Sequence, residues 1–336
     1  MKFTKYILFT LLIVIIGFSM YIATLNDMYN LKHTKTVKAP IEVVFEEIND
    51  FKNWQNWGPW YEIDTTIIAS FEGKTTGEGA SYSWTGKEGD GSMKTISVVP
   101  NRELIQQIDF GTGSTPEVYW NLEEEAEGTS ITWGMRGKST FTEKIYWLFK
   151  GGIEKNMIPT YERGLVLLDE HLVKEMDKQI VEYPGVVEYG GGFYMYKTTS
   201  SKIDEVRLKM VDMFTDINKY METNAIQSSG KPFIISHQKD VTNGTTIFSA
   251  CVPIRERVIT QGDVLSGLLK TQKTFKTILK GDYKHLKTVW ENAYIELQNQ
   301  GLTPLNNGEP FEIYTVNQHD TRNPSKWVTE IYIPIK

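Results

Sequence analysis

Gly308-Glu309-Pro310-Phe311-Glu312-Ile313-Tyr314 and, beyond a polar loop, Thr329-Glu330-Ile331-Tyr332-Ile333-Pro334-Ile335 decide the fold of this chain. Both runs alternate and are rich in Ile, Tyr and Thr, the pattern of two half-buried strands closing a hairpin. The odd member is Glu312, a carboxylate between Phe311 and Ile313. Alternation alone leaves two readings, a solvated face or an enclosed cleft.

The same phrase occurs earlier in the chain. Gly230-Lys231-Pro232-Phe233-Ile234-Ile235-Ser236 parallels the first run, and Thr246-Ile247-Phe248-Ser249-Ala250-Cys251-Val252-Pro253-Ile254 the second. An amphipathic helix precedes each hairpin. Ile203, Val206, Met210, Met213, Phe214, Ile217 and Met221 recur at helical spacing in the first copy, and Leu286, Trp290, Tyr294 and Leu297 in the second. Ahead of each helix lies a short strand, Phe193-Tyr194-Met195-Tyr196 and Phe275-Lys276-Thr277-Ile278-Leu279. The unit strand-helix-strand-strand thus repeats, over roughly 190–255 and 273–336. Two such halves are expected to bury their open faces against each other and leave a ligand cleft between them. Where the first copy has Ile234 the second has Glu312, an asymmetry that suggests a carboxylate in that cleft. A carboxylate there needs hydroxyl donors or a cationic ligand. Tyr283, Tyr314 and Tyr332 are candidate donors, and with Trp290 and Tyr294 they offer ring faces to a cation.

Residues 181–336 resemble the GyrI-like, or AraC-type, bacterial effector-binding domain. The resemblance is carried by Gly281-Asp282-Tyr283, Pro310-Phe311-Glu312-Ile313-Tyr314 and Thr329-Glu330-Ile331-Tyr332-Ile333-Pro334. It implies that Glu312 meets lipophilic cations among stacked aromatic rings. Regulators of that family also carry a helix-turn-helix DNA-binding domain, and none is read here.

Composition sets the outer limits. The 336 residues carry a net charge of −6, enough chain for two domains and a poor balance for nucleic-acid binding. The single cysteine, Cys251, excludes an internal disulfide, and five scattered histidines give no zinc spacing. Neither a metal nor a cofactor is expected. No phosphate loop, HExxH, GxSxG or dinucleotide fingerprint occurs. A Cys251–His237 pair can be drawn, but Cys251 lies in a strand where a small buried hydrophobe is the expected reading. His171 is expected on the solvated side of its helix.

Tyr6 to Leu25 contains no charge. Twenty helical residues span about 30 Å, the thickness of a bilayer core. Residues 1–30 therefore read as a single-pass membrane anchor, with a cleavable signal peptide as the alternative. Tyr21-Ile22-Ala23 offers only part of the small-residue cleavage pattern. Lys2 and Lys5 favour an extracytoplasmic remainder, while Lys32, Lys35 and Lys38 pull the other way.

Residues 31–178 read as a strand at Thr34–Lys38, a helix opened by Pro40, an aromatic run, a meander of strands and a long closing helix. Gly-rich turns such as Gly86-Lys87-Glu88-Gly89-Asp90-Gly91 break the meander, and Tyr161, Leu165, Leu168, Leu172 and Met176 stripe the helix. That is a helix-grip layout. Val37-Lys38-Ala39-Pro40-Ile41-Glu42-Val43-Val44-Phe45, Trp54-x-x-Trp57-x-Pro59, Gly79-x-x-Tyr82-x-Trp84 and Gly128-Thr129-x-Ile131-Thr132-Trp133 resemble the SRPBCC superfamily, in its polyketide cyclase/dehydrase-like or START-like branch. The resemblance implies a cavity for a hydrophobic ligand between sheet and helix, with Trp54, Trp57, Trp60, Trp84 and Trp133 around it.

The expected class is α+β: an N-terminal transmembrane helix, a START-like helix-grip domain at 31–178, and a pseudo-twofold GyrI-like domain at 181–336. The expected function is a membrane-anchored binder of lipophilic, cationic small molecules, with the lipid bilayer as a second partner and no nucleic acid. The alternative is a hydrolase or cyclase-type enzyme on a hydrophobic electrophile, with Glu312 as general base and Tyr283 assisting.

Overall fold

An uncharged run long enough to cross a bilayer forms the first helix of the computed structural model, α1 (Lys2–Thr24). It passes that test on length and composition, which a signal sequence also meets. Residues 2–87, 89–240 and 242–336 are described. Met1, at the head of the expected anchor, Glu88, in the expected Gly86–Gly91 turn, and Val241 lie outside the described residues, as does the side chain of Lys2. The chain divides into two compact units, Met1–Glu175 and Met176–Lys336.

In the first unit α1 is followed by β1 (Met28–Val37), α2 (Ile41–Asn49), α3 (Trp60–Ile63), β2 (Ile68–Ser70), β3 (Ser81–Thr85), β4 (Gly91–Val99), β5 (Glu103–Asp109), β6 (Glu117–Glu125), β7 (Gly128–Lys138), α4 (Phe141–Lys150) and α5 (Ile153–Met176). The strands form one antiparallel sheet in the order β1-β7-β6-β5-β4-β3-β2. Alternation sends Val118, Trp120 and Leu122 of β6 and Ile131, Trp133 and Met135 of β7 inward. The buried stripe Tyr161, Leu165, Leu168 and Leu172 of α5 covers them. α5 comes close because Gly164 lies at the crossing: a Cβ there would stand 2.5 Å from Trp133 Cζ3.

Two expectations for this unit are corrected. His171 is not solvated, for its Nε2 lies 3.0 Å from Glu47 Oε1 and its side chain is only 14% exposed. β1 also starts earlier than the expected strand at Thr34. Met28, Tyr29 and Asn30 pair with Lys138, Gly137 and Arg136, and Tyr119 OH donates to Asn30 Oδ1 at 2.7 Å.

The second unit runs β8 (Ile180–Tyr189), β9 (Gly192–Lys202), α6 (Val206–Thr223), β10 (Phe233–Asp240), β11 (Thr245–Ile254), β12 (Leu265–Leu269), β13 (Gln272–Lys280), α7 (Leu286–Asn299), β14 (Phe311–Val316) and β15 (Val328–Pro334). All eight strands form one sheet, β12-β9-β11-β10-β14-β15-β13-β8. The halves therefore join edge to edge through β10 and β14, and do not stack face on face as expected. A flush edge pairing satisfies the backbone groups that two separate sheets would leave open at their edges. The joining pairs are Phe233–Ile313, Ile234–Glu312 and Ile235–Phe311, so the pseudo-twofold axis passes through Ile234 and Glu312.

β8 and β12 were not legible as strands, and they cross over. β8 pairs with β13 of the second copy and β12 with β9 of the first. Only two residues separate β8 from β9, although they lie at or near opposite ends of the strand order. The sheet must therefore curl until its ends meet. There Thr271 Oγ1 donates to Gly190 O at 2.8 Å, and a Cβ on Gly191 would stand 2.2 Å from Leu269 O. One face of the sheet carries α6 and α7. The other buries Phe233, Ile235, Cys251, Phe311 and Tyr332.

Gly164→Ala should lower the stability of the first unit by about 1–3 kcal/mol, since α5 must lift off Trp133 to admit one methyl group. Thermal unfolding followed by circular dichroism measures it. A fragment that begins at Asn26 keeps every β1 pair, whereas one that begins at Leu31 loses three and should melt lower by roughly 4 °C or more.

Candidate functional site

β14 and the two helices above it position the candidate site. Phe311 and Ile313 point to the helix-free face, so the pleat turns Glu312 and Tyr314 toward α6 and α7. Trp290, on the second turn of α7, donates its Nε1–H to Glu312 Oε2 at 2.7 Å. Tyr314, two places along the same strand, donates its hydroxyl to Glu312 Oε1 at 2.5 Å. Met210 of α6 closes the far side, with Sδ 3.9 Å from the Tyr314 oxygen. The carboxylate thus lies at the pseudo-twofold axis, between the helices of the two copies.

Ring packing builds the wall. Tyr283 meets Tyr314 edge-on at 5.2 Å and stacks on Trp327 at 4.5 Å. Trp327 is itself held by its Nε1–H on Thr321 O at 2.8 Å. Tyr294 lies 6.3 Å from Trp290 with the ring planes 30° apart, one helical turn on. Glu312, Tyr283, Trp290 and Tyr314 are therefore brought together, and Tyr294 joins them only through Trp290.

Tyr332 is not among them. The period of two puts it on the helix-free face, stacked on Phe311 at 4.8 Å. Its hydroxyl donates to Glu330 Oε2, and Lys276 Nζ lies 2.9 Å from Glu330 Oε1. Trp327, by contrast, was missed. It follows a polar loop and has no alternating neighbours to announce a buried ring.

Electrostatics separate the two glutamates. Glu330 has a lysine. Glu312 has, among the described residues, no ion-pair partner, only the two neutral donors and a distant attraction from Lys239. Burial pushes its carboxyl above the ordinary value of 4.5, against the pull of Tyr314 and Trp290. Some solvent access to the residue remains, so the site is not sealed. Tyr314 holds its proton far more tightly than a free tyrosine, through burial and the adjacent Glu312. The same two causes, in the same order, act on Tyr283.

The expected second site is corrected in its geometry. Trp54, Trp57 and Trp133 do not rim a hollow but fill the space under α5, together with Trp120 and Tyr161. Trp120 and Trp133 stack at 4.4 Å, Trp54 and Trp57 lie 5.4 Å apart, and Trp133 packs on Tyr161 at 4.7 Å. Trp60 covers Trp54 and Trp133, and Trp84 lies out along β3 beside Tyr82. Large rings pack best against one another when water is excluded, which draws the run inward. Among the described residues the indole N–H groups of Trp57 and Trp133 have no acceptor, a cost of roughly 1–3 kcal/mol each.

Two further groupings carry no chemistry of their own. Cys251 is fully buried and burial pushes its thiol up, as expected of a small core residue. His237 turns away from it, with Nδ1 2.8 Å from Glu309 Oε1 and Nε2 2.6 Å from Ser249 Oγ. That row resembles a hydrolytic triad, but Ser249 is 1% exposed and a substrate carbonyl cannot reach its oxygen.

Comparison with known families agrees with this division. Residues 28–173 match the family model "Polyketide cyclase / dehydrase and lipid transport", and residues 194–336 match "GyrI-like small molecule binding domain". No curated protein matches the chain. Solved structures with a similar fold include the EcmrR C-terminal domain, at 15% identity over 47% of this chain and 98% of that one, TM-score 0.41. Another is SAV2435 bound to tetraphenylphosphonium, at 11% identity over 46% of this chain and 94% of that one, TM-score 0.35. A third is SA2116 from Staphylococcus aureus, at 15% identity over 44% of this chain and 96% of that one, TM-score 0.34. The chain is thus a polyketide cyclase/dehydrase-type domain followed by a GyrI-like small-molecule-binding domain, behind an N-terminal apolar helix.

Proposed function

We propose that the protein is a membrane-anchored binder of lipophilic cations, with Glu312 as the charged contact. The observation that carries this reading is a carboxylate enclosed by rings with neutral donors only. A glutamate so placed costs desolvation energy that Trp290 and Tyr314 offset in part. A cation against it gains a charge-assisted contact of about 1.5–3 kcal/mol. Each desolvated ring face of Tyr283, Trp290 or Tyr294 adds on the order of 1–2 kcal/mol. Apolar bulk on the ligand fits the aromatic wall, and a membrane anchor on the same chain tethers the protein to a phase where such molecules concentrate.

Binding is favoured over turnover because the two groups that meet the carboxylate, the Trp290 indole N–H and the Tyr314 hydroxyl, are neutral donors that keep their protons. A general base needs a lone pair aimed at a water, and a partner acid within reach. Here Tyr314 has a strongly raised pKa and faces the same carboxylate.

Glu312→Gln should weaken tetraphenylphosphonium about ten-fold or more by isothermal titration, the equivalent of one charge-assisted bond, and spare the neutral triphenylphosphine oxide. Glu330→Gln should change neither, because Lys276 and Tyr332 already satisfy that carboxylate on the other face. Equal losses in both variants would move the site elsewhere. Turnover of an electrophilic ester, lost in Glu312→Gln, would favour the enzyme reading.

The pH dependence has a definite sign. A carboxyl whose folded pKa is raised stabilises the folded state through its protonated form. Its contribution is greatest below the ordinary value of 4.5 and falls as pH rises from there through the raised folded pKa. The stability difference between wild type and Glu312→Gln should decline over that window in urea titrations. Cation affinity should move oppositely, strengthening with rising pH, with protons released on binding.

A further inference from the structure

α4 presents an apolar face that, apart from the contact of Phe149 with Phe18 of α1, the described chain leaves largely exposed. Phe141, Ile145, Leu148 and Phe149 fall at i, i+4, i+7 and i+8, one side of a helix in which no residue is buried. Phe149 is 77% exposed. Single exposed hydrophobes are ordinary, but a contiguous apolar stripe on one short helix marks an interaction surface.

Its neighbours say what the surface meets. Lys144 Nζ donates to Leu25 O at 2.6 Å, just past the C-terminal end of α1. α1 has no basic residue in its own last turn, so Lys144 supplies the cation that a helix C-terminus favours. Five residues on, the Phe149 ring lies 6.3 Å from that of Phe18. These two contacts lay α4 alongside the final turns of α1, antiparallel to it. Phe18 lies six residues before Thr24, about 9 Å along the axis. Anything level with Phe18 is that far inside the end of α1.

The other side of α4 is tied to the sheet. A capping box closes between Thr140 and Glu143, and Glu143 Oε1 accepts from Thr112 and Ser114 in the β5–β6 loop. The apolar stripe therefore cannot turn inward. We infer that α4 is an interfacial helix, lying at the boundary of headgroups and acyl chains of the bilayer that α1 crosses, with Phe149 inserted to the level of Phe18. The inference rests on the membrane-spanning reading of α1 proposed above. Interfacial helices bury their apolar face about 5–10 Å, the depth that the Phe18 contact requires. Lys150 extends its stem over the Tyr146 ring, with Nζ 5.7 Å from the centroid, and so can carry its charge back toward the headgroups.

The test uses the full chain in vesicles of phosphatidylcholine and phosphatidylglycerol. Nitroxide labels are placed singly by Ile13→Cys, Phe149→Cys and Lys94→Cys; the native Cys251 is buried and stays unlabelled. Circular dichroism confirms that each variant is folded, and accessibility to oxygen is compared with that to a water-soluble nickel chelate. The labels at 13 and 149 should both favour oxygen, with ratios several-fold above that at 94. A label in lipid at 13 with one in water at 149 would overturn the inference and leave the spanning helix intact. Water at 13 would overturn the spanning reading, and this one with it. A label at 149 closed to both probes would assign the face to a protein contact and also overturn it.

Discussion

Three residue pairs hold the two halves of the C-terminal sheet together: Phe233 with Ile313, Ile234 with Glu312, and Ile235 with Phe311. Most of that unit's organisation follows from this short ladder. It makes one continuous sheet from two copies, it sets both helices on the same face, and it puts the middle pair on the pseudo-twofold axis. A side chain at that point stands between both helices at once. Ile234 uses the position for packing. Glu312 uses it to gather a donor from α7 and another from its own strand, with Met210 of α6 behind them.

The two glutamates of this hairpin show how far context decides chemistry. Glu312 and Glu330 are each half-buried and each accept a hydrogen bond from a tyrosine two places along the same strand. Glu330 also has Lys276 at 2.9 Å, which cancels its charge and leaves it nothing to offer a cation. Glu312 has an indole N–H instead. A neutral donor stabilises a carboxylate without cancelling its charge, so the field at the site stays negative. A lysine near Glu312 would remove that field while leaving the fold unchanged.

What could be read from the sequence was what depends on local periodicity. The repeat, the helix stripes of α5 and α6, and the company of Glu312 with Tyr314 and Trp290 follow from alternation, 3.6-residue spacing and comparison of the two copies, whereas Tyr283 came with the resemblance carried by Gly281-Asp282-Tyr283. Tyr332 failed for a reason the same alternation contains. Two places from Glu330, it shares that residue's face and cannot share that of Glu312. On α7 the deepest stripe is Val289, Ala293 and Leu297, while Trp290 stands beside it and reaches Glu312, with Tyr294 one turn on. Trp54 and Trp57 were placed around a cavity, but indoles with six and three ring neighbours pack at the centre of a small domain. β8 and β12 escaped because their partners lie in the other copy, and no local pattern reports a partner in the other half of the domain.

That exchange of edge strands also orders events in time. β8 is completed by β13, with contacts at sequence separations of 87 and 98 residues between Thr274 and Val187 and between Lys280 and Glu182. Loop closure over such lengths costs entropy before any contact repays it, which slows folding. On a ribosome adding about 5–20 residues per second, the first half of this domain waits several seconds with both sheet edges open. A chaperone that shields bare strand edges would be of most use to this protein while it is still being made.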